Sequence, residues 1–285
     1  MKFGAFLIVS LLIAPLRADV RAPETVAQGQ FIHVEYDAAK PIGALTATFL
    51  TKDMSCYPDP NPSADPGKKN LWHCLIAVAA NAPEGPQELE LCDSGTTIHK
   101  RMVNIAAAKY PIEDLPLTKE KKDLVDKGDT PEEKKRIRAA LGSETAQKFW
   151  QGEFVTPVKG RVESHYGERR RIGGKLREGY YHRGTDFKAP KGAPMIAANA
   201  GRVVLAGPFT EEGNMVMIDH GHGIVSAYLH CSRILVKEGQ TVQRGERIAL
   251  VGSTGVSNSD HLHLGIYLHG TPIDPLIWLN RKLPY

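Results

Sequence analysis

The sequence predicts a mainly β protein with an N-terminal β-sandwich, a short helical connector and a C-terminal, glycine-rich domain of duplicated β-hairpins with a barrel-like form. Three observations support this prediction. Short runs alternate apolar and polar residues up to about residue 108, residues 109–150 are dense in Lys and Glu, and short strands between many glycines follow. Alternation with a period of two is typical of half-buried strands.

Composition narrows the class of protein. The chain has 285 residues, of which 42% are hydrophobic and 24% charged, with a formal net charge of +4. These values are those of an ordinary globular protein and exclude a collagen-like or disordered chain. The charge is too small for a dedicated nucleic-acid-binding protein, so no nucleic-acid partner is predicted.

Residues 1–18 are predicted to form a signal peptide. Lys2 precedes an apolar run at residues 3–14, and Ala18 offers a small residue for cleavage. The run is shorter than the ~20 residues that span a bilayer, so no membrane span is expected after the signal is removed. The protein is therefore expected in the periplasm or outside the cell.

Residues 19–108 are predicted to form the sandwich, from strand-like runs such as FIHVEY, ALTATFL and QELELC separated by Pro/Gly-rich turns. Its three histidines, His33, His73 and His99, are isolated from one another in the sequence. They are interpreted as structural or surface residues.

Export permits disulfide bonds, and three of the four cysteines lie in the first third of the chain. A Cys56–Cys74 bond would close the Pro-rich loop between two strands, which is entropically costly to order. A bond between Cys74 and Cys92 is the alternative. Cys231 stands alone and is interpreted as a buried thiol.

Residues 109–150 are predicted to form the charged helical connector. Thr130 is placed as an N-cap, Pro131 as the first helical residue, Glu133 as the capping-box partner and Gly142 after the last turn. The composition favours a solvated spacer over a lid. Residues 151–285 form the last domain, in which residues 191–207 and 236–255 indicate a weak internal duplication.

Three short segments of the last domain carry candidate chemistry: HRGTDF at 182–187, YLH at 228–230 and DHLHLG at 260–265. His261 and His263 are two residues apart and would share one face of a strand. His182 and Asp186 are four apart, a spacing that lets a short loop turn both side chains toward one point. Two imidazole nitrogens and one carboxylate oxygen are the ligands of a catalytic zinc site, with a fourth position open.

The order His-x3-Asp, Tyr-x-His, His-x-His in a glycine-rich β-domain resembles the LytM/lysostaphin-type zinc metallopeptidases, which cleave peptide bonds in bacterial peptidoglycan. The resemblance covers residues 154–275 and includes GRVESHYGERR at 160–170. It implies one Zn²⁺ per chain, held by His182, Asp186 and His263. It also implies that His230 and His261 are the catalytic, non-ligand histidines.

The resemblance also places further residues near the site. Tyr228 would share a strand face with His230 and could orient it by a hydrogen bond. Asn214, Ser164 and Arg169 fall where the substrate groove of the family lies. Four other histidines beside glycines or turns are interpreted as solvated or locally bonded: His165, His220, His222 and His269.

The predicted function is a zinc metalloendopeptidase acting on peptidoglycan cross-links, in cell-wall remodelling or lysis. The alternative is a catalytically silent adaptor of the same fold that activates a cell-wall amidase, since some relatives have lost metal ligands; none is lost here. A sugar phosphotransferase domain shares this kind of β-architecture, but export argues against it. A regulatory protein partner is compatible with either role, because the β-domain and connector could cover the groove until displaced.

Overall fold

The structure is a computed structural model that describes residues 18–60, 70–172, 175–281 and 283. The mainly β class is confirmed. The predicted signal peptide lies outside the described residues, except for Ala18, as does most of the Pro-rich loop. None of the helices in the described part of the chain is long and apolar enough to cross a membrane.

The N-terminal region consists of two sheets. One has the strand order β1-β3-β7-β6 and the other β2-β9-β8-β4-β5, with antiparallel pairing except between β2 and β9. The strands are β1 (Asp19–Arg21), β2 (Thr25–Ala27), β3 (Phe31–Asp37), β4 (Leu45–Phe49), β5 (Lys52–Ser55), β6 (Tyr57–Pro58), β7 (Leu71–Ala77), β8 (Gly85–Asp93) and β9 (Thr96–Ala106).

The two sheets pack face to face, as expected for a sandwich. Every second residue of β3 is buried, so that Ile32 and Val34 meet Ala47 and Leu91 of the other sheet in a shared core. Cys56 and Cys74 form a disulfide bond with their Cα atoms 4.5 Å apart, and it joins the residue just before β6 to β7. Cys92 and Cys231 are not disulfide-bonded.

The connector contains β10 (Ile112–Leu115), α1 (Lys119–Lys127) and α2 (Pro131–Leu141). The capping box of Thr130 and Glu133 is present at the start of α2, as predicted. The solvated spacer describes α1, which has no buried residue, but α2 packs Ala140 against the C-terminal domain. Glu133 also accepts hydrogen bonds from the backbone N–H and the hydroxyl of Thr210 in that domain.

The C-terminal region is built around an eight-stranded sheet of order β11-β14-β22-β18-β17-β16-β20, with β23 beside β22, here called the C-terminal sheet. Two smaller sheets are β15-β21-β19 and β10-β12-β13. The elements are β11 (Arg161–Ser164), β12 (Arg169–Ile172), β13 (Lys175–Leu176), β14 (Thr185–Lys188), β15 (Pro194–Ile196), β16 (Gly201–Phe209), β17 (Gly213–Gly221), β18 (Ile224–Cys231), β19 (Arg233–Ile234), β20 (Thr241–Val242), β21 (Arg247–Leu250), β22 (His261–Leu268), β23 (Thr271–Ile273) and a 3-10 turn, Pro275–Ile277.

The C-terminal sheet is buried on both faces. Along β17, Val216 and Ile218 enter the main hydrophobic core of the C-terminal domain, here called the large core. Met215 and Met217 lie on the opposite face of the sheet, which α2 covers. The two similar sequence segments pair with each other, β15 with β21 and β16 with β20.

The sandwich and the C-terminal domain share a contact surface. Leu75 and Ala77 of β7 point away from the sandwich core and belong to the large C-terminal core. The rings of Phe31 and Trp278 meet edge to face, with centroids 5.1 Å apart. Because β7 alternates, one face of it serves each core.

Candidate active site

Three adjacent strands of the C-terminal sheet gather the predicted site residues. Asp186 on β14 lies directly opposite His263 on β22. On the other side of β22, Leu229 of β18 is the register partner of His263, which brings the next residue, His230, to the same end of the sheet. His182 lies just before β14. His182 and His263, which are 81 residues apart in the sequence, are therefore brought into contact where the ends of β14, β18 and β22 lie side by side.

The alternation of β22 puts two histidines on one face, as the sequence predicted. Leu262 and Leu264 point into the large core. His261 and His263 therefore project from the opposite face, where they are 8% exposed.

His182, Asp186 and His263, here called the donor triangle, converge through one atom each. Nε2 of His182 is 2.9 Å from Nδ1 of His263 and 3.1 Å from Oδ1 of Asp186. The third side, from His263 Nδ1 to Asp186 Oδ1, is 2.9 Å. Two nitrogens and one oxygen at one point fit a zinc ion with three protein ligands.

Neighbouring groups fix the orientation of the donor triangle. Nδ1 of His182 donates a hydrogen bond to the carbonyl of His165 at 2.8 Å, which leaves Nε2 as the ligand atom. Gly184 lies so close that a Cβ there would be 2.6 Å from Nε2 of His263. A side chain at position 184 would displace the histidine.

The electrostatics of the donor triangle favour an ionised Asp186 beside a neutral His263. Burial opposes ionisation of Asp186, but the charges and hydrogen bonds of His182 and His263 outweigh it and hold the pKa of Asp186 well below its usual range. Burial lowers the pKa of His263. Ligands must be in these protonation states to bind a metal.

His230 and His261 stand side by side next to the donor triangle, with ring centroids 4.9 Å apart. Nδ1 of His230 is 2.9 Å from the carbonyl of Thr254, and Nδ1 of His261 is 2.8 Å from that of Ser259. Since a carbonyl only accepts, each Nδ1 carries a proton, and in the neutral form of either ring the lone pair is on Nε2. Nε2 of His261 is 3.6 Å from Oδ1 of Asp186.

The backbone of His230 is left-handed, with φ of +61°. This conformation breaks the strand alternation at the end of β18. Burial, followed by the charges of His261 and His263, lowers the pKa of His230 to about 3. His230 is therefore a neutral proton acceptor at physiological pH.

Arg170 was missed by the sequence analysis, which favoured Arg169. Arg170 donates to Oδ2 of Asp186 at 3.3 Å, so the carboxylate has one oxygen in the donor triangle and the other on a guanidinium. Arg169 is exposed on the same strand. The three consecutive arginines at 169–171 were the available signal, because alternation on a strand turns the middle one to the opposite side.

The expected hydrogen bond from Tyr228 to His230 is not among the contacts of the described residues. The Tyr228 hydroxyl accepts from the backbone N–H of Ala198 at 2.8 Å and lies 3.1 Å from the Ser226 hydroxyl. Tyr228 is fully buried in the large core. The left-handed turn at His230 separates the two side chains.

The other two predicted groove residues lie around the site. The side-chain amide of Asn214 donates to the carbonyl of Cys231 at 2.9 Å, and its backbone N–H donates to the hydroxyl of Thr254. Asn214 thus braces the segments on both sides of His230. Ser164 is the register partner of Asp186 on β11.

Three histidines that were expected to be solvated or locally bonded are buried. His220 is fully buried between the Ala200 carbonyl at 2.7 Å and the Ser226 hydroxyl at 2.7 Å. His222 stacks on Tyr57 of the sandwich, with ring centroids 4.0 Å apart. His269 lies 2.7 Å from a carboxylate oxygen of Glu144 and is also buried. His165 is exposed, as expected.

The connector crosses the site between its two walls. One wall is the β12–β13 hairpin, where β10 pairs in parallel with β12 and Asp114 binds Arg171 at 3.1 Å. The other wall is the loop at residues 253–260, where Asn258 donates to the Pro116 carbonyl at 2.8 Å. Lys121 donates to the carbonyl of Gly255 at 2.6 Å.

This crossing leaves the site closed. The five site residues are between 2% and 8% exposed: His182, Asp186, His230, His261 and His263. A polymeric substrate needs more room than that. The connector contacts segments on both sides of these residues, namely the β12–β13 hairpin and the loop at residues 253–260.

Comparisons with known proteins agree with the geometry. The family description Peptidase family M23 matches residues 180–275. A Haemophilus influenzae protein described as an uncharacterized metalloprotease is 41% identical over 127 residues, which cover 44% of this chain and 26% of that protein. Peptidoglycan DD-endopeptidase ShyA of Vibrio cholerae is 39% identical over 123 residues, which cover 43% of this chain and 28% of ShyA. The matched part of the chain thus spans about a quarter of the length of these two relatives.

A crystal structure from Pseudomonas aeruginosa described as a peptidase M23 superposes with a TM-score of 0.62 and covers 88% of this chain and 94% of that one, at 24% identity. That likeness shows a shared fold. Fold, site and family match together define a metallopeptidase-type domain. The chain carries a peptidase family M23 domain of the LytM/lysostaphin type behind an N-terminal β-domain.

Proposed function

We propose that this protein is a zinc metalloendopeptidase that hydrolyses the peptide cross-links of bacterial peptidoglycan. The observation that carries the proposal is the complete donor triangle with two further histidines, His230 and His261, beside it. The named activity of ShyA, peptidoglycan DD-endopeptidase, supports the choice of substrate. A catalytically silent adaptor would not need metal ligands, whereas this chain has all three.

His182, Asp186 and His263 would hold one zinc ion. When bound, that ion polarises the scissile carbonyl and acidifies the attacking water. Asp186 supplies the negative charge, and Arg170 and the His165 carbonyl keep the ligands aligned.

His230 and His261 would perform the proton transfers. Each has its Nδ1 proton tied to a backbone carbonyl, so that Nε2 is free to accept the proton of the attacking water. The same nitrogen can return the proton to the leaving amine. Burial lowers the pKa of His230, so the ring is neutral at physiological pH and Nε2 has the lone pair that this role needs.

The proposed location is the periplasm or the outside of the cell. The Cys56–Cys74 disulfide supports it, since such bonds persist in oxidising compartments. The connector is proposed to restrain the enzyme until a substrate or partner displaces it. Its contacts with both walls support that role.

The test is release of soluble muropeptides from purified peptidoglycan by the full chain. Chelation should stop the release, and added Zn²⁺ should restore it. The His263→Ala variant should stay inactive in both conditions, whereas His165→Ala, at an exposed histidine of the same domain whose backbone carbonyl is retained, should stay active. Active His263→Ala protein would refute the assignment, and zinc binding without hydrolysis under any condition would favour the adaptor role.

A further inference from the structure

The sandwich contains a second cluster of metal-binding side chains, far from the donor triangle in sequence. His33 and Glu35 on β3 and His73 on β7, here called the amino-terminal cluster, each place a ligand-type atom within 4.8 Å of the other two. Nε2 of His33 is 3.0 Å from Nδ1 of His73. In the donor triangle the corresponding distance between two histidine nitrogens is 2.9 Å.

Strand pairing brings the three residues to one face. Glu35 lies directly opposite His73 in the antiparallel register, and His33 is two residues before Glu35. Residues 33, 35 and 73 are on the side of the sheet that faces away from the sandwich core, since Val34 and Cys74 lie in that core. The sheet itself therefore fixes their separation.

We propose that the amino-terminal cluster is a second metal site, which binds a divalent transition-metal ion such as Zn²⁺ through His33, Glu35 and His73. Imidazole nitrogens and a carboxylate oxygen are the ligands that such ions prefer. The two rings stack at 18° with centroids 5.2 Å apart, so an ion between the two nearest nitrogens would replace their mutual contact.

The groups around the cluster support this role. Asp59 Oδ2 lies 3.4 Å from Nε2 of His73, on the opposite side of the ring from Nδ1. A carboxylate there favours a proton on Nε2 and leaves Nδ1 as the ligand atom, which is the usual support of a metal-bound histidine. The Cys56–Cys74 disulfide is one residue away and fixes β7 against β6.

A cavity gives access to the cluster. It has a volume of about 450 Å³ and lies between the sandwich and the C-terminal segment. His33 and Gln30 line it from one side, and Ile277 and Arg281 line it from the other. An ion and its water can reach His33 from this cavity, so the fourth coordination position can be filled by solvent.

The position of the cluster suggests what the metal does. β3 and β7 form the sheet that contacts the C-terminal domain, through Phe31 and Leu75. An ion between the two strands would cross-link that sheet at the contact. We expect it to stabilise the sandwich rather than to hydrolyse a substrate.

The test is the zinc content of the full chain by native mass spectrometry, with circular dichroism to verify folding. The wild-type chain should bind two zinc ions, His33→Ala one, His263→Ala one, and the double variant none. His99→Ala is the matched control, because it removes a histidine of the same sandwich outside the cluster, and it should keep two. Zn²⁺ should also raise the melting temperature of His263→Ala, but not that of the double variant.

A second variant covers the case in which His33→Ala does not fold. Glu35→Gln keeps the size of the side chain and should weaken the second zinc at least tenfold in competition with a chelator. A wild-type chain with one zinc that His263→Ala removes would overturn the second site. One zinc lost in His33→Ala but kept in His263→Ala would instead support the second site and refute the proposed active site, so the two proposals fail separately.

Discussion

The donor triangle and the amino-terminal cluster each contain two histidines and one carboxylate, but they differ in their surroundings. Both have two histidine nitrogens about 3 Å apart, 2.9 Å in one and 3.0 Å in the other. The triangle has a carboxylate at 2.9 Å and two more histidines beside it. The amino-terminal cluster has Asp59 behind one ring and a cavity of about 450 Å³ at the other. Two histidines and a carboxylate are enough to bind a metal ion, whereas hydrolysis also needs proton acceptors beside the ion, as His230 and His261 are beside the donor triangle.

The largest expected effect comes from the two extra histidines. His230→Ala and His261→Ala should each lower kcat about 10²- to 10⁴-fold, because a positioned proton acceptor is lost. Zinc content should not change, since neither residue belongs to the proposed ligand set. Turnover of muropeptides together with metal analysis measures both quantities. If either variant lost its zinc, the distinction between ligands and proton acceptors would be wrong.

The second prediction concerns Arg170, which donates to the carboxylate of the donor triangle. Arg170→Gln should weaken zinc binding at the donor triangle by about 10- to 100-fold, as removal of groups that support metal ligands commonly does. Arg21 is the matched control: it lies 3.9 Å from Glu35 and is 62% exposed. Arg21→Gln should change zinc binding little at either site. Chelator competition measures both variants, and equal effects would contradict the account.

The connector is proposed to restrain the site at the donor triangle. The double variant Asp114→Ala, Lys121→Ala removes one contact with each wall and should raise activity about fivefold, because two such contacts contribute roughly 1 kcal/mol. Lys122→Ala, next to Lys121 but exposed, is the control. Point variants are preferable to a chain beginning at Gly152, because that chain would also lose α2 and its packing against the C-terminal sheet. Unchanged hydrolysis of peptidoglycan would argue against a restraining connector.

The last prediction concerns the pH dependence of stability, through buried histidines outside both clusters. Burial lowers the pKa of His220 and of His222 to about 4, against about 6.5 in an unfolded chain. Between these values the unfolded chain binds more protons, so the stability that these residues contribute is complete above about pH 6.5. It falls by up to ~1.4 kcal/mol per pH unit for each histidine as the pH drops toward 4.

Urea unfolding at pH 7.5 and pH 5, with a chelator present, measures that loss. His222→Gln should be less stable than the wild type at pH 7.5, because it loses the stacking on Tyr57, but its stability should fall less on acidification. Equal pH dependence in both proteins would show that His222 is not neutral in the folded state.

The sequence predicted the parts of the molecule whose residues are close in the chain. His261 and His263 share a strand face, and Thr130 and Glu133 form a capping box, because both patterns follow from local periodicity. The mainly β class follows from the same kind of pattern. The meeting of His182 with His263 needed a family resemblance, since spacing alone does not say which strands are neighbours.

What the sequence analysis missed depends on contacts between distant segments. His33 and His73 are 40 residues apart and meet only through the register of β3 and β7. The connector was interpreted as a spacer because its composition is charged, but β10 pairs with β12, more than 50 residues later. Arg170 depends on that hairpin as well. The charged composition of the connector indicates exposure to solvent, but it does not indicate which strand β10 pairs with.

The most direct test is a crystal structure of the full chain with zinc, with anomalous diffraction measured above and below the zinc edge. The account predicts a peak within about 2.0–2.2 Å of a ligand atom on each of His182, Asp186 and His263. His230 and His261 should lie beside that peak without coordinating it. A peak bound by either of those two histidines, or no peak at the donor triangle in protein that hydrolyses peptidoglycan, would contradict the central claim.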